Sequence, residues 1–437
     1  MRLSTLALSL MTMLSWHADA SLKQQVAEAM PTLESLYLHL HQHPELSYKE
    51  EKTAYRLAKE MRALGFDVTE NIGGFGVVGL LSNGEGPTVM IRADTDALPI
   101  VEETGKAYAS KIKVKDEAGQ TVGVMHGCGH DIHMTSLIGT AQQLMLNRDK
   151  WQGTLMLVAQ PAEEVGGGAK AMLKAGLYDD FATPDHVLAL HVSASLAAGK
   201  VAIAPGYALA NVDSVDIIVK GKGGHGAYPH TTVDPIVLAS RIVLGLQTIT
   251  SREVSPLEPS VITVGSIHGG AKHNIISNEV KLQLTLRSYN PDVRNQQIAA
   301  IKRLTAGVAH SAGLTDELLP EVIVHDSESI PSTYNNPELA KFVTAAIKQE
   351  IGAENVDLSQ PVMAGEDFGL FGRTDKNIPI TIFWLGGVNQ AVFDAAQKSG
   401  EPLPSLHSSK FAPDYPIAIA TGVRAMTNSA LALFSQK

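Results

Sequence analysis

Apolar residues follow two rhythms along this chain. Up to about residue 211, short uninterrupted runs such as GVVGLL (76–81), TVMIRAD (88–94), GTLMLVAQP (153–161) and HVLALHV (186–192) are separated by segments of helical period. Such runs are strands buried on both faces, and their alternation with helices predicts an α/β sheet covered on either side. The helices are expected over 21–42, from Ser47 to Leu64, and over 135–149 and 169–176. Ser47 and Glu50 have the spacing of a capping box, and Gly65 supplies a stop.

Between 212 and 326 the rhythm changes. SVDIIVKG (214–221), SVITVGSI (260–267) and EVKLQLTLRS (279–288) alternate polar and apolar residues, with helices at 233–251 and 291–312 and a last strand at 319–326. The order β-α-β-β-α-β is that of a ferredoxin-like split unit. After 330 the first style returns, with a helix at NPELAKFVTAAIKQEIG, a buried strand at PITIFWLGG and a terminal helix over 413–434. The expected architecture is therefore α/β. A larger domain, 21–211 and 327–437, holds a central, mostly parallel sheet flanked by helices. A ferredoxin-like domain, 212–326, is inserted into it. The polar stretch 106–124 is expected as a surface hairpin.

With 437 residues, 44% of them hydrophobic, the chain can bury the cores of two domains. A net charge of −10 without a basic cluster excludes a nucleic-acid surface. Residues 1–20 stand apart: Arg2, an apolar run, then Ala18-Asp19-Ala20, the order of a secretory signal peptide. Export to a periplasmic or extracellular space is expected, with no membrane association after its removal, since no other segment reads as a span. In that setting the single cysteine, Cys128, must be buried, metal-bound or exposed to oxidation.

Five stretches carry candidate chemistry. In IRADTDALP (91–99), Asp94 and Asp96 follow a buried strand, and alternate positions of an extended segment face one side. In MHGCGHDIH (125–133), Cys128 and His130 flank a glycine, so extended backbone would aim both at one ion, and thiolate with imidazole suits zinc or a similar metal. Cys128 as a small buried hydrophobe or as a nucleophile is the competing reading; His126 and His133 read as structural histidines. In QPAEEVGGG (160–168), Glu163 and Glu164 diverge from a strand end, so one can bind metal while the other acts as a base. His191 sits inside an apolar strand and His407 in a polar loop; alone, each reads as ordinary structure. No G-x-S-x-G elbow or H-E-x-x-H helix is present.

Taken in order, HQHPELSYKE, RADTDALPI, MHGCGHDIHM, QPAEE, LHV, GKGGHGAYPHTTVDPI, HNII, LRSYN, GEDF and LHSSKF resemble one family over about residues 30–430. It is the hippurate hydrolase, N-acyl-amino-acid amidohydrolase and auxin-conjugate hydrolase branch of the aminoacylase–carboxypeptidase superfamily of dinuclear metallohydrolases. The resemblance implies two divalent metal ions per chain, zinc or manganese first, cobalt or nickel also compatible. It implies Cys128, His130, Glu164, His191 and His407 as ligands, with Cys128 bridging. Glu163 would be the general base and Asp96 the carboxylate that steadies the site. His225 would serve the oxyanion from the small domain, across a homodimer or higher homo-oligomer. Asn274 and Arg287 would be substrate contacts. The substrate would be an N-acyl-amino acid or related small amide, or, in a carboxypeptidase or dipeptidase, a peptide. A non-catalytic metal or ligand carrier on the same fold is the remote alternative. Ala364 in AGEDF and Ser277 in HNIISNEV depart from the family's usual glycine and proline, which bears on substrate preference.

Overall fold

The computed structural model describes residues 20–116 and 118–436. The expected signal segment therefore lies outside the described residues, apart from Ala20. An eight-stranded sheet runs in the order Asp67–Ile72, Gly76–Asn83, Gly153–Gln160, Thr88–Asp94, His186–Ala197, Ile380–Val388, Val201–Ile203, Val356–Leu358. The four strands from Gly153–Gln160 to Ile380–Val388 pair parallel; Gly76–Asn83 and Val201–Ile203 flank them antiparallel, and at the edges Asp67–Ile72 pairs antiparallel with the former and Val356–Leu358 parallel with the latter.

The apolar runs are explained by two cores, one on each face of this sheet. Val89, Ile91 and Ala93 enter one core and Met90 the other; Leu155, Leu157 and Ala159 oppose Met156 and Val158 in the same way. The first core is closed by the helices Leu22–Gln42, Glu51–Ala63, His130–Leu146, Pro337–Ile351 and Tyr415–Phe434. Tyr415–Phe434 is a correction to the sequence reading, because it has the length and hydropathy of a membrane span. Two thirds of it is buried inside the protein, and Tyr37 stacks on Tyr415 with ring centroids 4.3 Å apart.

A second, four-stranded sheet has the order Ser260–Gly269, Glu279–Ser288, Asp213–Lys220, Glu321–Val324, all antiparallel, with helices Pro235–Thr248 and Pro291–Ser311 packed on it. Its core residues fall between Val215 and Leu314, separate from the large sheet's. Asn211–Asp213 and Ser329–Ser332 are the two crossings between the sheets, bridged by Val212 and Ile330. Buried Asp213 ties them together, accepting from Asn211 Nδ2 (2.6 Å), Ser329 Oγ (2.7 Å) and Arg294 Nη2 (2.6 Å).

Two local expectations fail. Ser47 and Glu50 do not cap the helix that begins at Glu51. Ser47 Oγ donates instead to Asp96 (2.6 Å) and Glu50 accepts from the Ala162 amide (2.8 Å), so tertiary partners won both side chains. The helix expected from 135 begins at His130. Cys128 and His130 are therefore brought together by a turn into a helix, not by extended backbone. That turn requires Gly129: its φ is +80°, and a Cβ there would stand 2.3 Å from Val192 Cγ1.

Candidate metal centre

The carboxyl ends of the parallel strands gather the chemistry, where open α/β sheets place their sites. Asp94 ends its strand and Asp96 follows; Gln160 ends the next, and the chain turns through Ala162 to Glu163 and Glu164. His191 sits within His186–Ala197, and His130 opens its helix. Among the described residues five non-glycines have positive φ; two are asparagines, and the other three, Tyr48, Ala162 and His407, lie next to or within these segments. Strain of that kind persists where the surroundings over-determine it.

Cys128 stands at the middle. Its Sγ lies 3.5 Å from His191 Nε2 and 3.3 Å from His407 Nε2. His407 Nε2 is also 3.4 Å from Glu164 Oε2, and His130 Nε2 is 3.8 Å from Glu164 Oε1. Among the groups of donor atoms compact enough to hold one ion are Cys128, His130 and His191, and Cys128, Glu164 and His407. Cys128 belongs to both.

The donor set fits divalent metal. His130 Nδ1 donates to the Asp96 carbonyl and His191 Nδ1 to the Val192 carbonyl, each at 2.8 Å, which fixes the tautomer and leaves Nε2 of both rings as a lone-pair donor. His130 Nε2 and Glu164 Oε1 are buried without a hydrogen-bond partner, a costly state that coordination would relieve. His133 differs: its Nε2 accepts from the Val192 amide (2.8 Å) and its Nδ1 donates to Asp94 (2.6 Å), so neither nitrogen is free. Burial pushes it down to about 3, so it stays neutral. His126 is buried, pushed down to about 4 by burial, and neither of its ring nitrogens has a hydrogen-bond partner among the described residues.

The field is strongly negative. Burial, then the charges of Glu164, Glu163 and Asp94, push the Cys128 thiol well up. A nucleophilic cysteine needs the opposite shift, so the environment opposes that reading and suits a thiolate neutralised by a dication. Burial also pushes Glu163 well up, with Glu366, Glu164, Asp367 and Asp94 adding to it. Its Oε2 lies 3.9 Å from His130 Nε2. Burial disfavours charge on His130, but Asp94, Asp96 and Glu164 outweigh it and raise the ring to about 10. Asp96 is held low despite burial by His130, Ser47 and the Glu164 amide, which reaches it at 3.0 Å.

The sequence profile of Peptidase family M20/M25/M40 matches residues 90–405. The chain belongs to this family. Thermostable carboxypeptidase 1 of Saccharolobus solfataricus is 37% identical over 397 residues, 90% of this chain and 93% of that one. N-acetyl-L-cysteine deacetylase of Bacillus subtilis is 37% identical over 335 residues, 76% of each chain. The crystal structure of the Bacillus subtilis YXEP protein, described as a dinuclear metal-binding peptidase of the M20 family, superimposes with a TM-score of 0.75 at 25% identity, covering 94% of this chain and 99% of that one. As an M20/M25/M40 protein, this chain is a metal-dependent hydrolase of amide bonds.

Behind the cluster lies a part of this M20/M25/M40 site that sequence reasoning missed. Arg92 is fully buried. Its guanidinium donates to Gln160 Oε1 (2.7 Å), Asp94 Oδ2 (2.8 Å), Glu366 Oε1 (2.9 Å) and Asp367 Oδ1 (3.1 Å). Asp94 in turn holds His133, and His133 the strand that carries His191. An arginine inside an apolar strand was the available signal, together with GEDF. Three expected residues do not join the cluster: no hydrogen bond or ion pair among the described residues links it to His225, Asn274 or Arg287. His225 pairs with Ile275 in a short antiparallel pair, and just beyond it Gly226 N donates to the Asn274 carbonyl (2.9 Å), so His225 and Asn274 lie on neighbouring segments. Arg287 is half-buried on Glu279–Ser288, donating to Thr285 Oγ1 (2.5 Å) and the Leu286 carbonyl (3.0 Å).

Proposed function

We propose that this chain is an amidohydrolase that splits N-acyl-amino acids, or related small amides and dipeptides, into a carboxylic acid and an amine-bearing product. One observation carries the reading: two donor groups share Cys128, with Glu163 beside them and free of hydrogen bonds. Cys128, His130 and His191 would hold one ion, and Cys128, Glu164 and His407 the other. Zinc or manganese fits this mixed set best, with cobalt and nickel compatible. When bound, such ions acidify water and polarise the amide carbonyl.

The chain's own residues supply the rest. Glu163 takes a proton at its carboxylate and delivers it to the leaving nitrogen; its buried, carboxylate-rich setting makes it a strong enough base. Asp96 orients His130 and anchors the Glu164 backbone. His225 Nδ1 accepts from the Ala227 amide (3.0 Å), which puts the ring proton on Nε2, exposed and able to donate to an oxyanion. Asn274 accompanies it as a substrate contact. Arg287 would contact the substrate carboxylate only by leaving partners on its own strand. Bringing His225 to a metal centre needs domain closure or a second subunit. A homodimer through the small domain is supported by exposed Ile236, Val237 and Leu244 on Pro235–Thr248. Export to the periplasm or beyond rests on the composition of residues 1–20.

A metallo-carboxypeptidase is the second reading, favoured by the identity to Thermostable carboxypeptidase 1. Metal analysis, with hydrolysis of N-acyl-amino acids and of peptides before and after chelation, tests both. We expect up to two ions per chain and turnover abolished by chelation and by Glu163→Gln. Metal-free protein that turns over would sink the assignment; metal without turnover on any amide would leave a binding protein.

A further inference from the structure

A cleft of about 850 Å³ opens beside the metal centre. Its walls come from the larger domain alone, chiefly from residues 193–196, 357–360, 396–397 and 400–403 together with Trp384 and Leu406. It adjoins the centre in three places. Ser193 lies two positions after His191 and shares its face of the strand. Trp384 is the register partner of His191, with ring centroids 5.3 Å apart. Leu406 immediately precedes His407.

We propose that this cleft receives the acyl group of the substrate, and that it selects uncharged acyl groups of medium aliphatic or aromatic size over acetyl and over acyl groups bearing a carboxylate. The inference rests on the amidohydrolase reading above. Leu358, Val362, Trp384, Leu403 and Leu406 make the wall largely apolar. Leu358 is 75% exposed, a large side chain left open to water until something covers it. No lysine, arginine or histidine is among the lining residues; of the two carboxylates there, Glu401 is exposed and Asp357 is paired with Lys200 Nζ (3.8 Å). An anionic acyl group would face Glu401 with no cation among the lining residues to bind it. The substrate's own carboxylate must then point away from this cleft. The volume falls in the range of small-molecule sites, about 300–1,000 Å³, and an acetyl group fills little of it. Ala364, where the family usually has glycine, adds its methyl group to this cleft. The sequence departure that bears on substrate preference therefore has a place in the structure.

The test is a panel of acetyl, octanoyl, benzoyl and succinyl derivatives of alanine, methionine and phenylalanine, hydrolysed by the metal-loaded full chain. A buried methylene is worth roughly fourfold in affinity. We expect octanoyl and benzoyl substrates to exceed acetyl by at least about tenfold in kcat/KM, with succinyl below acetyl. Leu358→Arg and Leu403→Arg place a cation in the wall, and each should lower the octanoyl-to-succinyl ratio at least tenfold. Leu358 is exposed enough to accept the change without unfolding. Calorimetric binding of octanoyl- and succinyl-methionine to Glu163→Gln protein gives a readout that does not depend on turnover. A flat acyl preference, or ratios unchanged in both folded variants, would overturn the cleft assignment and leave the hydrolase standing. Selective octanoyl binding without turnover of any derivative by wild type would keep the cleft and sink the hydrolase. Neither turnover nor binding would remove both.

Discussion

Replacing Arg92 with methionine removes one cation from a site that contains three buried carboxylates, Asp94, Glu366 and Asp367. Methionine fills most of the volume, so cavity formation is a minor part of the cost. The larger part is electrostatic. Breaking a buried ion pair from one side costs about 3–5 kcal/mol, because the remaining charge stays buried and uncompensated. Here several carboxylates lose the same partner, but protonation of one of them caps the penalty; about 4 kcal/mol is a working figure. If the roughly 300 residues of the larger domain melt together, an unfolding entropy of about 2.1 cal/mol/K per residue gives about 0.6 kcal/mol/K, and the melting temperature falls by about 6 °C. Arg92→Lys keeps the charge but not the fork that reaches Gln160 and the three carboxylates together, so it should fall between the two. Scanning calorimetry on chelated and metal-loaded protein measures both variants and separates the fold's loss from that of the metal. An Arg92→Met protein melting within about 1 °C of wild type in chelator would refute the reasoning.

Ser47→Ala should leave the Glu51–Ala63 helix intact, since Ser47 does not cap it, yet weaken metal affinity about 10–100-fold through Asp96, as measured by competition with a chromophoric chelator. Cys128→Ala should reduce the metal content of the protein at both positions; in wild type, bound metal should shield the Cys128 thiol from iodoacetamide, and equal alkylation with and without metal would contradict its role as ligand. His41 gives a pH signature. Burial opposes its charge, but hydrogen bonds to Asp131 (2.6 Å) and Glu102 (3.3 Å) raise it from 6.5 to about 9. A raised histidine stabilises the fold fully below its unfolded value and loses that contribution as pH climbs through about 9, a term of about 3 kcal/mol. The stability gap between wild type and His41→Asn, from urea unfolding, should therefore be flat between about pH 5 and 6 and narrow towards pH 10; a gap that widens over that rise would show the wrong sign.

Much of the fold was legible because its strands are buried on both faces or alternate cleanly. Thr88–Asp94 and Glu279–Ser288 match the sequence reading residue for residue. What escaped did so for identifiable reasons. Asp67–Ile72 is a polar edge strand, and Gln390–Ser399 buries no residue at all, so neither leaves a core-facing period in the sequence. The helix start at His130 was hidden because its first turn buries His130, Asp131 and His133, polar residues whose partners lie far along the chain. Ser47 and Glu50 read as a cap because the pattern is local, whereas Asp96 and Ala162, their actual partners, lie far along the chain. The donor cluster was legible as an ordered set of motifs, while the Arg92 network was not: Arg92 and Glu366 are 274 positions apart.

The interrupted layout of the larger domain sets an order of events for the nascent chain. The four-stranded unit between Asp213 and Val324 has its own contiguous core and can close as soon as it is synthesised. The eight-stranded sheet cannot, because Ile380–Val388 occupies its centre, between His186–Ala197 and Val201–Ile203. His407 arrives later still, and the first helix, Leu22–Gln42, waits for Tyr415–Phe434 to cover it. A ribosome-bound chain therefore carries the first half of an unfinished sheet for most of its synthesis, with apolar strand edges open to mispairing. If the chain is exported unfolded, that delay becomes useful: nothing in the larger domain can lock shut before the last strand and the final ligand have crossed.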